Sequence, residues 1–188
     1  GAANTLTTVA GIPFYQGDSG SIYTHDVSGT DDTATKNTAY GLTALDAITT
    51  GDNNTATGYA ALSANTTGAS NVAVGKDALK ANTTAGSNTA IGLQSLFTNT
   101  TGANNTATGS QALYSNSTGS YNAAVGESAL YTNSTGANNV AVGRIALYNN
   151  TADDNTAVGY AALTANTTAA ANTAIGKGSM QTNTVAAN

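Results

Sequence analysis

Apolar and polar residues alternate along this chain in a pattern that repeats every 17 residues. The unit reads N-[T/V]-A-[V/I/T]-G-x-x-A-L-x-x-N-T-T-G-x-N, so that, with the first Asn as position 1, Ala takes position 3, Gly position 5 and Leu position 9. One interval, after Asn139, is 16 residues long. The nine copies begin at Asn37, Asn54, Asn71, Asn88, Asn105, Asn122, Asn139, Asn155 and Asn172. Such self-similarity predicts an array of stacked structural repeats.

Positions 2 to 4 have the pattern of a short strand. Val72 and Val74 would point to one face and Ala73 to the other, because successive side chains of a strand alternate. Position 5 is Gly in all nine copies. This predicts a corner with positive φ, or a backbone packed too closely for a Cβ.

The length of the repeat favours a β-solenoid. Helical repeats need more than about 30 residues and leucine-rich repeats at least about 20, whereas 17 residues can hold two short strands and two turns. We therefore predict an all-β fold, a parallel β-roll (β-solenoid) of nine 17-residue coils over residues 37–188. Residues 1–36 do not repeat and are expected to be an N-terminal cap or the tail of a preceding module. Because the last copy ends with the chain, we expect a segment of a longer fibre.

One face of each coil is expected to need a partner. Ala at position 3 and Leu at position 9 are the predicted interior, and this interior is thin. Position 4 is most often a branched apolar residue on the opposite face, at Val74, Ile91, Val125, Val142, Val158 and Ile175. A second apolar face repeated along the whole array predicts packing against other copies of the chain.

The repeats resemble those of a known family. The stretches "NVAVG" (71–75 and 139–143) and "NTAIG" (88–92 and 172–176), each followed by x-x-[A/S]-[L/M], are similar to the "SVAIG" repeat of YadA-like head domains of trimeric autotransporter adhesins. The longer "NTAVGYxALxxNTTG" pattern is similar to bacteriophage tail-fibre segments. The resemblance covers residues 37–188 and implies a homotrimer of left-handed parallel β-rolls with the Val/Ile strand on the threefold axis. The coil is longer here than in the adhesins, which implies a longer outer turn in the N-T-T-G region.

Composition narrows the possible partners and setting. Charged residues make up 8% of the chain and the net charge is −5, which argues against a phosphate-binding groove and hence against a nucleic-acid partner. No apolar run approaches membrane-spanning length, so we expect a chain that is not membrane-embedded. There is no Cys. This composition and the resemblance together predict an extracellular location, on a bacterial cell surface or in a virion fibre.

Catalytic chemistry has little support in the sequence. Glycosidases use paired carboxylates, and the plausible close pairs in this chain are Asp46 with Asp52 and Asp153 with Asp154. Both pairs fall in variable turns, where solvated side chains are the favoured interpretation. We predict that the chain is not an enzyme, and that it has no catalytic, cofactor-binding or metal site.

Two other pairs of charged residues have simple interpretations. His25 and Asp26 could form a metal or acid–base pair, but a lone His-Asp dipeptide is commonplace and a cap is favoured. Glu127 and Arg144 share position 6 of adjacent coils and are predicted to form a surface ion pair of at most about 1 kcal/mol.

Three columns of identical or similar residues are expected along the array. Asn at position 1 predicts hydrogen bonds between amides one coil apart. Thr at positions 13 and 14 is reminiscent of ice-binding solenoids, although adjacent Thr residues in a turn should splay. Position 10 is aromatic in four consecutive coils, at Phe97, Tyr114, Tyr131 and Tyr148. These four rings are the candidate ligand surface, either for stacking on sugar rings or, alternatively, for covering Leu side chains or packing between subunits.

These observations predict a homotrimeric extracellular or virion fibre segment. It would act as an adhesin head or receptor-binding fibre, with a cell-surface glycan or protein as receptor. A purely structural filament or stalk with no receptor is the alternative, and a monomeric ice-binding solenoid is the third hypothesis.

Overall fold

In a computed structural model of the chain, residues 7–9, 12–16, 22–23 and 33–184 are described. All the regular elements among them are β-strands, which lie in one sheet in the order of the sequence. The strands are β1 (Thr7–Val9), β2 (Ile12–Gln16), β3 (Ile22–Tyr23), β4 (Thr38–Tyr40), β5 (Thr55–Thr57), β6 (Val72–Val74), β7 (Thr89–Ile91), β8 (Thr106–Thr108), β9 (Ala123–Val125), β10 (Val140–Val142), β11 (Thr156–Val158) and β12 (Thr173–Ile175). Strands β1 to β3 pair antiparallel, and β3 to β12 run parallel.

The predicted β-solenoid of about nine turns is confirmed. Each strand from β4 to β12 occupies positions 2 to 4 of one coil, and neighbouring strands pair with the same positions opposite each other, as in Val72 with Thr89 and Val74 with Ile91. The parallel stack begins one strand earlier than the repeat pattern, because β3 pairs in parallel with β4. Tyr23 takes the place that Ala39 takes in the next coil, and both side chains are buried.

The expectation of two strands per coil is wrong, because each coil of the array contains one strand and a series of turns. The reason lies in the backbone of positions 7, 9 and 17, which is left-handed. At position 9 the φ angles of the eight leucines and Met180 lie between 49° and 55°. A left-handed residue cannot continue a strand, and non-Gly residues adopt this conformation only when their surroundings enforce it.

The interior consists of the predicted Ala and Leu side chains. Ala at position 3 and Leu at position 9 are buried in every coil from Ala39 to Leu163, and the Ala residues at position 8 lie with them. In the last coil Ala174 is buried, whereas Met180 is 39% exposed. Positions 2 and 4 of the strands point away from this core, as the alternation predicted.

Two columns of buried Asn side chains complete the interior. At position 1, the Asn54 Oδ1 accepts a hydrogen bond from the backbone N–H of Asn71 (3.0 Å), and this bond recurs at every step from Asn37 to Asn172. The predicted column is thus confirmed, although its regular link is amide to backbone. At position 12, a second column makes direct amide–amide bonds, such as Asn82 Nδ2 to Asn65 Oδ1 (2.8 Å). This second column is not apparent from the repeat pattern alone.

From the second coil to the seventh, both Asn columns converge on one backbone carbonyl per coil. In the second coil the Gly68 carbonyl accepts hydrogen bonds from Asn54 Nδ2 and Asn65 Nδ2, both at 2.9 Å. Buried amides are tolerated when their donors and acceptors are satisfied. This shared acceptor explains why the chain places Asn at both positions.

The 16-residue coil interrupts the second column. Asn150 Nδ2 donates to the Ala152 carbonyl (2.7 Å), and Asn150 Oδ1 accepts from Asn166 Nδ2 (2.7 Å). The buried Asn133 Oδ1 has no hydrogen-bond partner. One residue fewer in the turn therefore leaves one amide oxygen unsatisfied without stopping the stack.

Glycine at position 5 satisfies both of its predicted requirements. Its φ angle is +133° at Gly58 and lies between +118° and +140° throughout the column. A Cβ built on Gly58 would lie 2.5 Å from the carbonyl oxygen of Gly75 in the next coil. Only Gly fits a corner with this φ and this close approach.

Candidate ligand surfaces

The four aromatic residues at position 10 form one continuous stack, here called the aromatic column (Phe97, Tyr114, Tyr131 and Tyr148). Adjacent ring centroids lie 5.0–5.1 Å apart, and the ring planes differ by 2–6°. This separation is close to the distance between neighbouring strands of a sheet. The stack therefore follows from placing one aromatic residue at the same position of successive coils.

The rings of the aromatic column are half-buried. Within the column each ring face is covered by the neighbouring ring. At the N-terminal end, Lys80 Nζ lies 5.7 Å from the centroid of Phe97, over its outer face. Lys80 also pairs with the buried carboxylate of Asp77 (3.0 Å), which shows that positions 7 and 10 of a coil adjoin. Attachment by stacking along the whole column would need ring faces that the column itself occupies.

The middle of the aromatic column changes the chemistry of one phenol. Burial raises the pKa of Tyr131 above its ordinary value of 10.0, and the neighbouring phenols of Tyr148 and Tyr114 add to this effect. A phenolate at this place would lose solvent and face two further phenolates at high pH. Tyr131 therefore stays neutral to higher pH than an isolated tyrosine.

A second candidate surface is the outer sheet face, defined as the outward side chains at positions 2 and 4 of β4 to β12. Its position 2 residues are Thr38, Thr55, Val72, Thr89, Thr106, Ala123, Val140, Thr156 and Thr173, and its position 4 residues are Tyr40, Thr57, Val74, Ile91, Thr108, Val125, Val142, Val158 and Ile175. None of these residues is charged. Ile91 is 41% exposed and Val125 42%. This is an uncharged and largely apolar surface on a parallel sheet, a type of sheet that is normally covered on both faces.

Position 6 follows the corner glycine and is charged in four coils, at Lys76, Glu127, Arg144 and Lys177. Lys76 Nζ lies 5.9 Å from the ring centroid of Tyr59 in the preceding coil, and Lys177 Nζ lies 5.9 Å from that of Tyr160. The predicted ion pair between Arg144 Nε and Glu127 Oε2 is confirmed at 3.1 Å, with both side chains more than half exposed. Such an exposed pair contributes at most about 1 kcal/mol.

One carboxylate of each possible catalytic pair, Asp52 and Asp153, accepts hydrogen bonds within the turns. Asp52 Oδ1 accepts hydrogen bonds from Thr35 N (2.7 Å) and Thr35 Oγ1 (3.0 Å), and these bonds lower the pKa of Asp52. Asp153 Oδ1 accepts a bond from the backbone N–H of Ala137 (2.8 Å). Each carboxylate thus ties its turn to the preceding coil.

The Thr residues at positions 13 and 14 behave differently from each other, as expected for adjacent residues in a turn. At position 13 the hydroxyl bonds to the next coil, for example from Thr66 Oγ1 to the Thr83 carbonyl (3.1 Å). At position 14, residues such as Thr67 and Thr118 are exposed. A flat array of paired Thr hydroxyls is therefore absent from this turn.

The remaining predictions concern the His25–Asp26 pair, metal binding and the membrane. His25 and Asp26 lie outside the described residues. In the part of the chain that is described, there is no group of three or more His, Cys, Asp or Glu side chains that could hold a metal ion. The same residues include no helix long and apolar enough to cross a membrane.

Comparison with known proteins adds no relative: no protein-family model, curated protein or solved structure matches this chain. The functions of the candidate surfaces therefore rest on their own geometry and chemistry.

Proposed function

We propose that this chain is a segment of an extracellular or virion fibre, in which three copies pack their outer sheet faces around a common axis. The observation that carries the proposal is the outer sheet face itself, which is uncharged along nine coils and exposes branched apolar side chains. Burying such side chains contributes roughly 25 cal/mol per Å² of apolar surface removed from water. Three parallel and left-handed β-rolls, as the YadA-like resemblance implies, would bury this face along its full length.

In this arrangement the aromatic column is the attachment surface. It lies at position 10, outside the strand that carries the outer sheet face, and its four residues are partly exposed in each copy. Tyrosine provides an apolar body together with a polar tip, which suits contacts with sugars and protein surfaces. The fibre would thus present three such columns to a cell-surface receptor.

The oligomeric part of the proposal is tested by the native mass in solution. Light scattering should give three times the chain mass of 18.4 kDa. Val142→Lys places a charge on the outer sheet face and should reduce this mass to that of one chain, while far-ultraviolet circular dichroism stays unchanged. Thr118→Lys is the matched control, because Thr118 is exposed on a turn outside that face. A wild-type monomer would overturn the trimer.

The attachment part is tested separately by replacing all four rings of the aromatic column with Ser, the residue found at position 10 in Ser63. The variant should remain trimeric and lose attachment to cells that the wild-type fibre binds. Unchanged attachment, or a wild-type fibre that attaches to no surface, would favour a purely structural filament.

One observation favours a second candidate, an ice-binding solenoid. Thr occupies position 2 of the outer sheet face in six coils, and Thr55 with Thr57 and Thr106 with Thr108 stand side by side on it. This function requires a free face and hence a monomer. A monomer that produces thermal hysteresis, lost in Thr106→Lys, would support ice binding over the fibre.

A further inference from the structure

The two ends of the aromatic column differ. At the N-terminal end the outer face of Phe97 is covered by Lys80, which is held in place by Asp77. At the C-terminal end the series of stacked rings stops at Tyr148, and the next coil has Thr164 at position 10. The long charged side chain of Lys80 therefore covers the Phe97 end of the column, whereas the short side chain of Thr164 follows the Tyr148 end.

The short side chain leaves a step in the column. The Thr164 hydroxyl donates to the Ala161 carbonyl (2.6 Å), so this side chain is held against its own turn. A Thr side chain ends one atom beyond Cβ, whereas a tyrosine ring extends well past that point. The outer part of the Tyr148 ring face therefore overhangs Thr164.

A polar side chain borders the step on its other side. Position 10 of the last coil is Gln181, which is exposed. The step, named here the Tyr148 notch and formed by Tyr148, Thr164 and Gln181, has an aromatic wall, a small floor and a wall with an amide group.

We propose that the Tyr148 notch binds one pyranose ring of a neutral glycan. A pyranose has a face of C–H groups, which packs on an aromatic ring, and a rim of hydroxyl groups, which need polar partners. Tyr148 provides the first contact, and the side-chain amide of Gln181 provides the second. The centroids of Tyr131 and Tyr148 are 5.0 Å apart, so a ring seated over Thr164 would continue the same spacing. This inference rests on the proposed attachment function and places it at one end of the column.

The test measures binding of methyl β-D-glucopyranoside, methyl β-D-galactopyranoside and methyl α-D-mannopyranoside to the whole chain by saturation-transfer NMR. At least one of the three should receive saturation at its ring C–H protons. Thr164→Tyr extends the stack into the notch and should weaken that binding at least about tenfold, equivalent to about 1.4 kcal/mol. Thr118→Tyr, which adds an exposed tyrosine elsewhere, should bind as the wild type does.

A second variant tests the amide wall of the notch. Gln181→Ala removes the amide of an exposed side chain and leaves Tyr148 and Thr164 in place, so it should also weaken binding of the same glycoside. Thermal unfolding of each variant confirms that the solenoid is intact. No binding of any of the three glycosides to the wild type, or wild-type binding by Thr164→Tyr or by Gln181→Ala, would overturn the proposal.

These outcomes are independent of those that test the fibre. Binding of a glycoside can be measured whether the chain is a monomer or a trimer. If a trimer needs the aromatic column for attachment but attaches equally well as Thr164→Tyr, the proposed function stands and the notch is not the binding site. If instead a monomer binds the glycoside through the notch, the notch stands and the trimeric fibre is overturned.

Discussion

The two faces of each three-residue strand follow opposite rules of composition. In strand β8 the inward residue is Ala107, fully buried, and the outward residues are Thr106 and Thr108. Across β4 to β12 the inward residue is always Ala, whereas the outward residues include Thr, Val, Ile, Ala and Tyr. The space inside the coil fixes the inward residue, and no contact within a single chain fixes the outward ones.

The contrast extends to polarity. The interior contains two columns of buried Asn, while the outer sheet face exposes Val and Ile. Amides can be buried here because the register between coils gives partners to their donors and acceptors, with the Oδ1 atoms of Asn133 and Asn166 as exceptions. In this fold, the hydrogen bonds available to a side chain therefore decide whether it is buried as much as its hydrophobicity does. The outer sheet face is the region whose composition the single coil does not explain.

The largest predicted effect concerns the corner between the two faces. Gly109→Ala introduces a Cβ that would lie 2.5 Å from the Gly126 carbonyl oxygen, at a φ of +140°. Backbone strain of about 1–3 kcal/mol and overpacking of about 1–3 kcal/mol should together lower the free energy of unfolding by roughly 2–6 kcal/mol. Denaturant titration followed by circular dichroism measures the loss.

The last coil provides the matched control for this corner. Gly176 has a φ of +118°, but a Cβ there would meet no atom within 4 Å. Gly176→Ala should therefore lose only the strain, about 1–3 kcal/mol. Equal losses in the two variants would show that the stacking contact between coils does not constrain this position.

The next largest effect on stability distinguishes two adjacent residues, the buried Asn105 and the exposed Thr106. Asn105 Oδ1 accepts from Asn122 N (2.9 Å) and its Nδ2 donates to the Gly119 carbonyl (2.8 Å), whereas Thr106 points outward and is exposed. Asn105→Ala leaves buried groups without partners and should lower the free energy of unfolding by about 3 kcal/mol. Thr106→Ala should change it by no more than about 0.5 kcal/mol.

Denaturant titration of the two variants under the same conditions gives this comparison directly. Similar losses would mean that the Asn column contributes no more than an exposed residue. In that case the convergence of both Asn columns on one carbonyl would not explain why Asn occupies these positions.

The parts of the fold that the sequence predicted are those in which one residue type recurs for one local reason. Ala at position 3, Leu at position 9 and Gly at position 5 each had a single steric explanation, and the structure agrees with all three. The number of strands per coil was wrong because left-handed Leu residues cannot be recognised from composition. Leu45 and its equivalents have no intrinsic preference for that conformation, and only the stacked coil imposes it.

The candidate surfaces show the same division. The residues of the aromatic column occupy the same position in successive coils, which was sufficient to predict that Tyr114 and Tyr131 lie in register. It could not show that their faces cover each other, because this depends on side-chain rotamers set by the packed turn. The second Asn column at position 12 was missed for a related reason. Asn in a turn has many local uses, so a buried amide ladder cannot be distinguished from them without the register between coils.

The smallest effect concerns the aromatic column, which lies between the buried interior and the exposed faces. Because the pKa of Tyr131 is raised in the folded chain, the folded state holds this proton at a pH where the unfolded state has released it. Stability is therefore fully present below pH 10.0, the ordinary value, and falls as the pH rises above it. One such group can contribute no more than about 1.4 kcal/mol per pH unit to the slope. Denaturant titrations at a series of alkaline pH values, comparing the wild type with Tyr131→Phe, should show a shallower loss in the variant, because the other tyrosines titrate in both. Parallel pH profiles would mean that the middle ring of the column is no more shielded than a solvated phenol, and that the column belongs with the exposed surface rather than with the interior.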